Sequence, residues 1–167
     1  DFVACHQFGL LERINVLGSA RPGATLLLNA PYPSDEVWDH LPVEVQQQLI
    51  DRGLTVWSVD ASRIAREVGL GGRINTVMQP CFFALSNVID RETAVRLVKE
   101  SIEKAYKRRG RTVVERNHAA VDRALLEMHR VEARTSADSA ARMLPAVAAG
   151  APDFVRDVTA RMLAGEG

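Results

Sequence analysis

The sequence predicts an α/β fold, in which a partial parallel β-sheet is flanked by helices and followed by a helical C-terminal segment. Two observations support this fold class. Three short apolar runs, at residues 2–5, 24–29 and 54–59, alternate with stretches of helical pattern, as in βαβ proteins. Beyond residue 74, apolar residues recur at spacings of three and four, which is typical of helices that bury one face.

The three predicted strands are short apolar segments bounded by polar residues or turns. Residues 2–5 end at His6, and residues 24–29 follow a Pro-Gly turn. Residues 54–59 are rich in β-branched and aromatic side chains and end at Asp60. We expect the strands to lie side by side and parallel, which places His6 and Asp60 at the edge of the sheet where ligands bind.

Helical segments are predicted between these strands. Residues 8–20 carry leucine and isoleucine at spacings of three and four and predict an amphipathic helix. Ser34 is expected to cap a short helix that opens with two acidic residues. Two further helices are expected over residues 42–52 and 62–68, the second ending at a glycine.

The second half of the chain is predicted to be helical. Residues 74–87 are apolar on nearly all sides and predict a buried helix, in which Pro80 should introduce a kink or mark the first turn. Further helices are expected over the ranges 91–109, 112–130 and 153–163. The intervening alanine-rich stretch, 133–151, is typical of a linker or a loosely held segment. We therefore divide the chain into an α/β portion, 1–132, and a linker with a short helix, 133–167.

Composition excludes several classes of function. The 167 residues include 21 Lys+Arg and 21 Asp+Glu, so the formal net charge is zero. A nucleic-acid-binding protein or a polybasic membrane anchor needs a net positive field, so we expect neither partner. No apolar run approaches the ~18 residues of a membrane-spanning helix.

Cysteine and histidine usage argues against a metal or cluster site in this chain. Cys5 and Cys81 alone cannot form a four-ligand site, and they form no disulfide framework, so we expect a cytoplasmic location. The four histidines lack metal-ligand spacing. Cys81 is expected to be an inert core thiol. Cys5 and His6 should point to opposite faces of a strand, which makes them poor partners for nucleophilic catalysis.

The start of the chain is unusual for a complete domain. Residue 1 is aspartate rather than methionine, and a predicted strand begins at once. We expect the chain to be a piece of a longer protein.

Two polar groups could bind an anionic ligand. The glycine-dense loop 69–72 could present N–H groups to a phosphate, although it is not a Walker A loop; a helix C-cap followed by a turn is the alternative. Arg73, Asn75 and Gln79 follow and could bind a carboxylate, amide or phosphate, or could satisfy helix ends instead. The basic run 107–111 suits a helix C-terminus, with an anionic ligand or partner as the alternative.

Several strings closely resemble the pyruvate:ferredoxin (flavodoxin) oxidoreductase family. The resemblance is to the C-terminal part of its gamma-type domain, the central CoA-associated domain, and it spans the whole chain in order. The matching strings are Asp-Phe-Val-Ala-Cys-His at 1–6, Pro-Gly-Ala-Thr-Leu-Leu-Leu-Asn-Ala-Pro at 22–31, Gly-Gly-Arg-Ile-Asn-Thr-Val-Met-Gln at 71–79, Val-Val-Glu-Arg-Asn at 113–117, and the tail 152–167, which resembles the stretch before the small Glu-Lys-Arg domain.

The resemblance implies what the intact enzyme does. It implies oxidative decarboxylation of pyruvate on thiamine diphosphate with Mg²⁺, electron transfer through [4Fe–4S] clusters to ferredoxin or flavodoxin, and release of acetyl-CoA. This segment is then expected to contribute part of the CoA site, with Asn75 and Asn117 as the family's two asparagines and Arg73 as a further candidate. The catalytic residues, thiamine diphosphate and clusters are expected in other domains of a homodimeric enzyme.

Departures from the family pattern limit what this segment can do alone. The family's opening Gly/Ser/Asp loop and the lysine that follows it do not occur here. We therefore expect the isolated segment to be inactive. Two alternatives stay open: a structural interface domain without its own ligand, and the same domain in an enzyme that acts on another 2-oxoacid.

Overall fold

The computed structural model describes residues 1–163 and contains one four-stranded sheet in the order β1-β2-β3-β4. The strands are β1 (Phe2–Cys5), β2 (Thr25–Asn29), β3 (Thr55–Val59) and β4 (His129–Val131). β1 pairs with β2 and β2 pairs with β3 in parallel register. The predicted α/β class and the three parallel strands are thus confirmed.

The fourth strand was not predicted, because residues 112–130 have the pattern of a helix. β4 pairs antiparallel with β3, and Val131 lies opposite Val56. Val131 is buried in the same apolar cluster as Val56, whereas Met128 has already left the helix with an extended backbone. Pairing with the free edge of β3 therefore ends the helix earlier than its local pattern indicates.

Four short helices precede residue 70. They are a 3₁₀ helix (Phe8–Glu12), α1 (Val37–His40), α2 (Val43–Asp51) and α3 (Ala61–Glu67). The predicted helix over 8–20 is wrong beyond residue 12. Turns follow instead, and Arg52 donates hydrogen bonds to the carbonyl oxygens of Leu17 and Ala20 (2.5 and 3.0 Å). A distant side chain thus satisfies backbone groups that a helix would have used internally.

The predicted cap at Ser34 is also wrong. The chain makes a turn first, and α1 begins at Val37 with Glu36 at the N-cap position and without a side-chain cap. The predictions for α2 and α3 are confirmed to within one or two residues.

Helices cover both faces of the sheet. Leu26 and Leu28 belong to an apolar cluster with α1 and α2, whereas Leu27 belongs to a second cluster with α3, α4 and α6. All three leucines are fully buried. Successive strand residues point to opposite faces, and a sheet buried on both sides needs the continuous apolar run that this strand has.

Three longer helices complete the second layer. They are α4 (Asn75–Ser86), α5 (Arg91–Tyr106), which continues into a 3₁₀ turn (Lys107–Arg109), and α6 (Arg111–Glu127). These confirm the predicted helices except at their ends. Pro80 lies inside α4 after the first turn and is buried. Among the described residues, none of the helices is both long and apolar enough to cross a membrane.

The alanine-rich segment 132–152 consists of turns and irregular structure, and its first part lies along α1 and α2. The N–H of Val43 donates to the carbonyl of Ala141 (2.9 Å), and Arg134 forms a bidentate ion pair with Asp39. The segment leads into a π-helical stretch (Val155–Thr159) and α7 (Ala160–Leu163). The tail 152–167, which resembles the family, extends past α7. Its last four residues, 164–167, lie outside the described part of the chain.

Candidate functional site

The carboxyl ends of β1 and β2 open onto a cleft of about 610 Å³, which we call the main cleft. Its walls come from the ends of the two strands, from α3, and from the glycine loop. The lining residues are His6, Gln7, Phe8, Asn29, Pro31, Ser62, Arg66, Gly71, Gly72 and Ile74. This is the edge at which open parallel sheets bind ligands.

Asn29, the last residue of β2, lines the main cleft. Its Nδ2 donates to the carbonyl of His6 (2.9 Å) and to Oγ of Ser62 (3.0 Å), and its Oδ1 accepts from the N–H of Ser62 (3.3 Å). Asn29 is only 8 % exposed, and these bonds satisfy an amide that would be costly to bury alone. One side chain therefore joins the ends of β1 and β2 to the first turn of α3.

A second, shallower cavity of about 460 Å³ adjoins the edge strand β1, and we call it the edge pocket. It is lined by Ala4, His6, Asn75, Met78, Gln79 and Phe82. His6 lines both cavities, so the two are neighbours. The structure thus brings together three of the predicted site residues: His6, Asn75 and Gln79.

The glycine loop closes α3 and then borders the main cleft. Gly69 has φ +76° and its N–H donates to the carbonyl of Arg66 (3.0 Å), which is the predicted helix C-cap. Gly71 and Gly72 have no atom within 4 Å of the position that a Cβ would occupy. Their N–H groups meet no hydrogen-bond acceptor in the described part of the chain. The loop therefore caps α3 through Gly69 and leaves two backbone N–H groups, those of Gly71 and Gly72, without an acceptor among the described residues.

Charge is unevenly distributed around these cavities. Among residues 1–163, no Asp or Glu lines the main cleft or the edge pocket. Arg66 supplies a positive charge to the main cleft, and no carboxylate of residues 1–163 lies within 4.0 Å of it. The two cavities therefore favour neutral or anionic ligands.

Asp60 lies at the same edge of the sheet but in a different cavity. It caps α3 by accepting from the N–H of Arg63 (2.8 Å), and it lines a polar cavity with Glu127 and His129. Arg63 also forms an ion pair with Glu127 (2.7 Å). His6 and Asp60 therefore lie at the same edge of the sheet, as predicted, but they line different cavities.

Arg73 does not line either cavity. Its guanidinium lies 6.0 Å from the centroid of the Tyr106 ring, and the guanidinium of Arg109 lies 5.7 Å from the same centroid. Both distances are within the range of cation–π attraction. The structure thus separates Arg73 from Asn75 and Gln79, the two amides with which the sequence groups it.

Asn117 lies inside the protein rather than in a cavity. It has no exposed surface, and its Nδ2 donates to the carbonyl of Val113 (2.7 Å). Its Oδ1 accepts from Oγ1 of Thr76 (3.4 Å), the residue after Asn75. Asn117 is therefore close in space to Asn75 but is separated from the edge pocket by the first turn of α4.

The two thiols are buried on different sides of the sheet. Cys5 belongs to the cluster with α1 and α2, and Cys81 belongs to the cluster with α4 and α6. Burial raises the pKa of Cys5 and raises that of Cys81 to about 12, so both are neutral thiols. Within residues 1–163, no three His, Cys, Asp or Glu side chains are grouped closely enough to hold a metal ion.

Two of the site's residues were missed by the sequence analysis. Asn29 is a polar residue at the carboxyl end of a buried strand, a position that does signal a ligand edge. Arg66 looks like any exposed helical arginine, and only the folded glycine loop reveals that it lines a cleft.

Comparison with known proteins places this chain among relatives of known name. A family model described as "Pyruvate ferredoxin/flavodoxin oxidoreductase" matches residues 1–127. The chain is 50 % identical over 167 residues to the pyruvate-flavodoxin oxidoreductase of Rhodospirillum rubrum and 41 % identical over 174 residues to that of Nostoc sp.; both alignments cover all of this chain. The chain spans only 14 % of the length of each of these relatives.

A solved structure shares the fold. It is the crystal structure of pyruvate oxidoreductase subunit PORC from Thermotoga maritima, with a TM-score of 0.58 and 19 % sequence identity. The match covers 78 % of this chain and 65 % of that subunit. At this identity the likeness supports the α/β fold and nothing finer. The family model, in contrast, covers more than half of the chain, and the chain therefore belongs to the pyruvate ferredoxin/flavodoxin oxidoreductase family.

Proposed function

We propose that this chain is a segment of a pyruvate:ferredoxin or pyruvate:flavodoxin oxidoreductase and forms one wall of its coenzyme A site. The observation that carries the proposal is the convergence of His6, Asn75 and Gln79 on the edge pocket, directly beside a cleft without carboxylates. In the intact enzyme, CoA would accept the two-carbon unit of pyruvate as an acetyl group, after CO₂ has been lost and two electrons have passed to ferredoxin or flavodoxin.

The chemistry of CoA fits these residues. The pantetheine arm carries two amide groups, and the side chains of Asn75 and Gln79 can each both donate and accept a hydrogen bond. CoA also carries several phosphate charges, which a carboxylate-lined cavity would repel. The absence of Asp and Glu from the described lining of both cavities removes that obstacle.

The other cofactors of the reaction do not fit the described residues. Cys5 and Cys81 are buried singly in separate clusters, so they cannot share an iron–sulfur cluster. We propose that other domains of the same protein bind thiamine diphosphate with Mg²⁺ and the [4Fe–4S] clusters. They would supply the decarboxylation and the one-electron transfer to ferredoxin or flavodoxin.

Asn117 and Arg73 are weaker parts of the proposal. Asn117 supports the site by holding Thr76, which adjoins Asn75, and its direct contact with CoA stays a prediction. Arg73 is exposed beside Tyr106 and would reach only a ligand that extends beyond the edge pocket. We also propose a homodimeric enzyme in the cytoplasm, a location that suits the two unpaired cysteines.

The test is calorimetric titration of the full-length enzyme with CoA. Asn75→Ala should weaken CoA binding by about three- to tenfold, the usual value of one or two hydrogen bonds. Gln47→Ala is the matched control, because Gln47 is an exposed helical amide on α2 that bonds only to Asp51 in the described structure. Equal affinities in wild type and Asn75→Ala would contradict the proposal.

The same titration addresses the alternative of an interface domain without a ligand of its own. That alternative is favoured by four apolar side chains that lie exposed along the C-terminal helical stretch: Phe154 (70 %), Val158 (41 %), Met162 (69 %) and Leu163 (59 %). Because these residues are distant in sequence from the two cavities, an interface role for them is compatible with a CoA site. If CoA binding is unchanged in Asn75→Ala, the interface role is the only one of these two functions that remains.

A further inference from the structure

We propose that Arg66 and the backbone N–H groups of Gly71 and Gly72 form a phosphate-binding subsite in the main cleft. The ligand group is a phosphate ester of CoA, so this inference rests on the proposed function. It also assigns a direction to the ligand, with its phosphates in the main cleft and its pantetheine amides in the edge pocket.

Among the described residues, Arg66 is a cation without a carboxylate partner. Arg63, one turn earlier on α3, forms ion pairs with Asp60, Glu67 and Glu127. Arg66, in contrast, lines the main cleft and has no carboxylate within 4.0 Å in the described part of the chain. A guanidinium that faces a cleft and is not neutralised is suited to bind a phosphate in bidentate fashion.

The glycine loop, which also lines the main cleft, offers free hydrogen-bond donors. The N–H groups of Gly71 and Gly72 have no acceptor among residues 1–163, and both residues are exposed. Gly71 has φ +62°, a conformation that other residues rarely adopt, so this loop conformation depends on glycine at this position. Two successive amides without an acceptor, in the same cleft lining as an arginine, offer a phosphate both backbone and guanidinium donors.

The other walls of the main cleft are largely apolar. Phe8, Pro31 and Ile74 line the main cleft together with the uncharged amide of Asn29. Apolar walls reduce the screening by water and so strengthen the attraction between a guanidinium and a phosphate. No described carboxylate lines the cleft to compete for Arg66.

The direction of the ligand follows from His6, which lines both cavities. A ligand that spans them must pass His6, with one end at Arg66 and the other at Asn75 and Gln79. CoA has this form, because its phosphates and its two amides lie at different points along one extended molecule. The side chain that matches phosphate is in the main cleft, and those that match amides are in the edge pocket.

The test compares CoA, dephospho-CoA and phosphate-free pantetheine in calorimetric titrations of the full-length enzyme. Arg66→Gln should weaken CoA binding by about tenfold or more, as expected for a lost charge-assisted hydrogen bond, and should leave pantetheine binding within about twofold of wild type. Arg66→Lys should restore part of the CoA affinity. Arg96→Gln, an exposed arginine on α5, is the matched control and should change nothing.

The outcomes separate this inference from the proposed function. A penalty that persists with dephospho-CoA identifies the diphosphate as the bound group, and one that disappears identifies the 3′-phosphate; either supports the inference. Unchanged CoA binding in Arg66→Gln, with weakened binding in Asn75→Ala, overturns the inference but not the function. Equal losses for CoA and pantetheine overturn it by showing a structural effect. Unchanged binding in both variants contradicts the function as well.

Discussion

Asn117 shows how a single buried side chain can shape a site that it does not line. Its amide accepts from Thr76 on α4 and donates to Val113 one turn earlier on its own helix α6. Asn75 is the neighbour of Thr76, so this bond positions the first turn of α4 relative to α6. The structure therefore gives Asn117 a positioning role, which is distinct from the ligand contact that the family resemblance implies.

Replacing Asn117 should loosen α4 without altering its surface. Asn117→Ala removes the acceptor of Thr76 and leaves a small buried void, so the local opening free energy of α4 and α6 should fall by about 1–3 kcal/mol. Hydrogen exchange of peptides from these helices in the full-length enzyme measures this change, with the exposed Gln47→Ala as control. Unchanged exchange in α4 would show that the Asn117–Thr76 bond contributes nothing.

The residues of the site differ in how far the sequence could identify them. His6 was predicted because it follows a recognisable strand, and Asn75 because it follows the glycine loop and matches an asparagine of the family motif. Arg66 and Asn29 were not predicted, because their roles depend on where the folded chain places the glycine loop and the first turn of α3. The burial of Asn117 is likewise a consequence of helix packing that spacing alone does not reveal.

Among the helices and strands, the buried Gln46 of α2 provides two of the hydrogen bonds that hold the alanine-rich segment against α1 and α2. Gln46 is fully buried, and its Oε1 accepts from the N–H groups of Asp138 and Ser139 (2.9 and 3.0 Å). Its Nε2 donates to the carbonyl of Trp38 (2.8 Å). Composition predicts an irregular segment, and the segment is irregular. The hydrogen bonds that hold it join residues some ninety positions apart, so no local sequence pattern predicts them.

Removing Gln46 should weaken this docking. Gln46→Ala leaves the two N–H groups of the segment without an acceptor, which costs about 1–3 kcal/mol and should loosen residues 138–144 on α2, although the bond between Val43 and Ala141 remains. Limited trypsin digestion of the full-length enzyme should then cut faster after Arg142. The neighbouring Gln47→Ala, which removes an exposed amide from the same helix, should not. Equal rates in the two variants would contradict the proposed role of Gln46.

The elements themselves were predictable where the local pattern agrees with the final packing. The three parallel strands and the helices α2 to α6 have apolar patterns that match their burial. The stretch 13–20 and the strand β4 do not, because the carbonyl groups of the first are held by Arg52 and the second pairs with a distant strand edge. In both cases a tertiary interaction overrides a local helical pattern.

In the whole molecule, the net charge is zero, but the charged side chains are unevenly distributed. Ion pairs are concentrated between α3 and α6, where Arg63 and Arg123 both contact Glu67 and Glu127. The hydrogen bond from Arg123 holds the pKa of Glu67 below its usual value, so the pairs are charged at neutral pH. The main cleft and the edge pocket have no Asp or Glu among the described residues that line them, an arrangement that favours an anionic ligand.

A structure of the full-length enzyme with CoA would show whether CoA binds across both cavities. We expect a pantetheine amide within about 3.2 Å of the Asn75 side chain and a phosphate at the guanidinium of Arg66. CoA bound without contact to the main cleft or the edge pocket would contradict it.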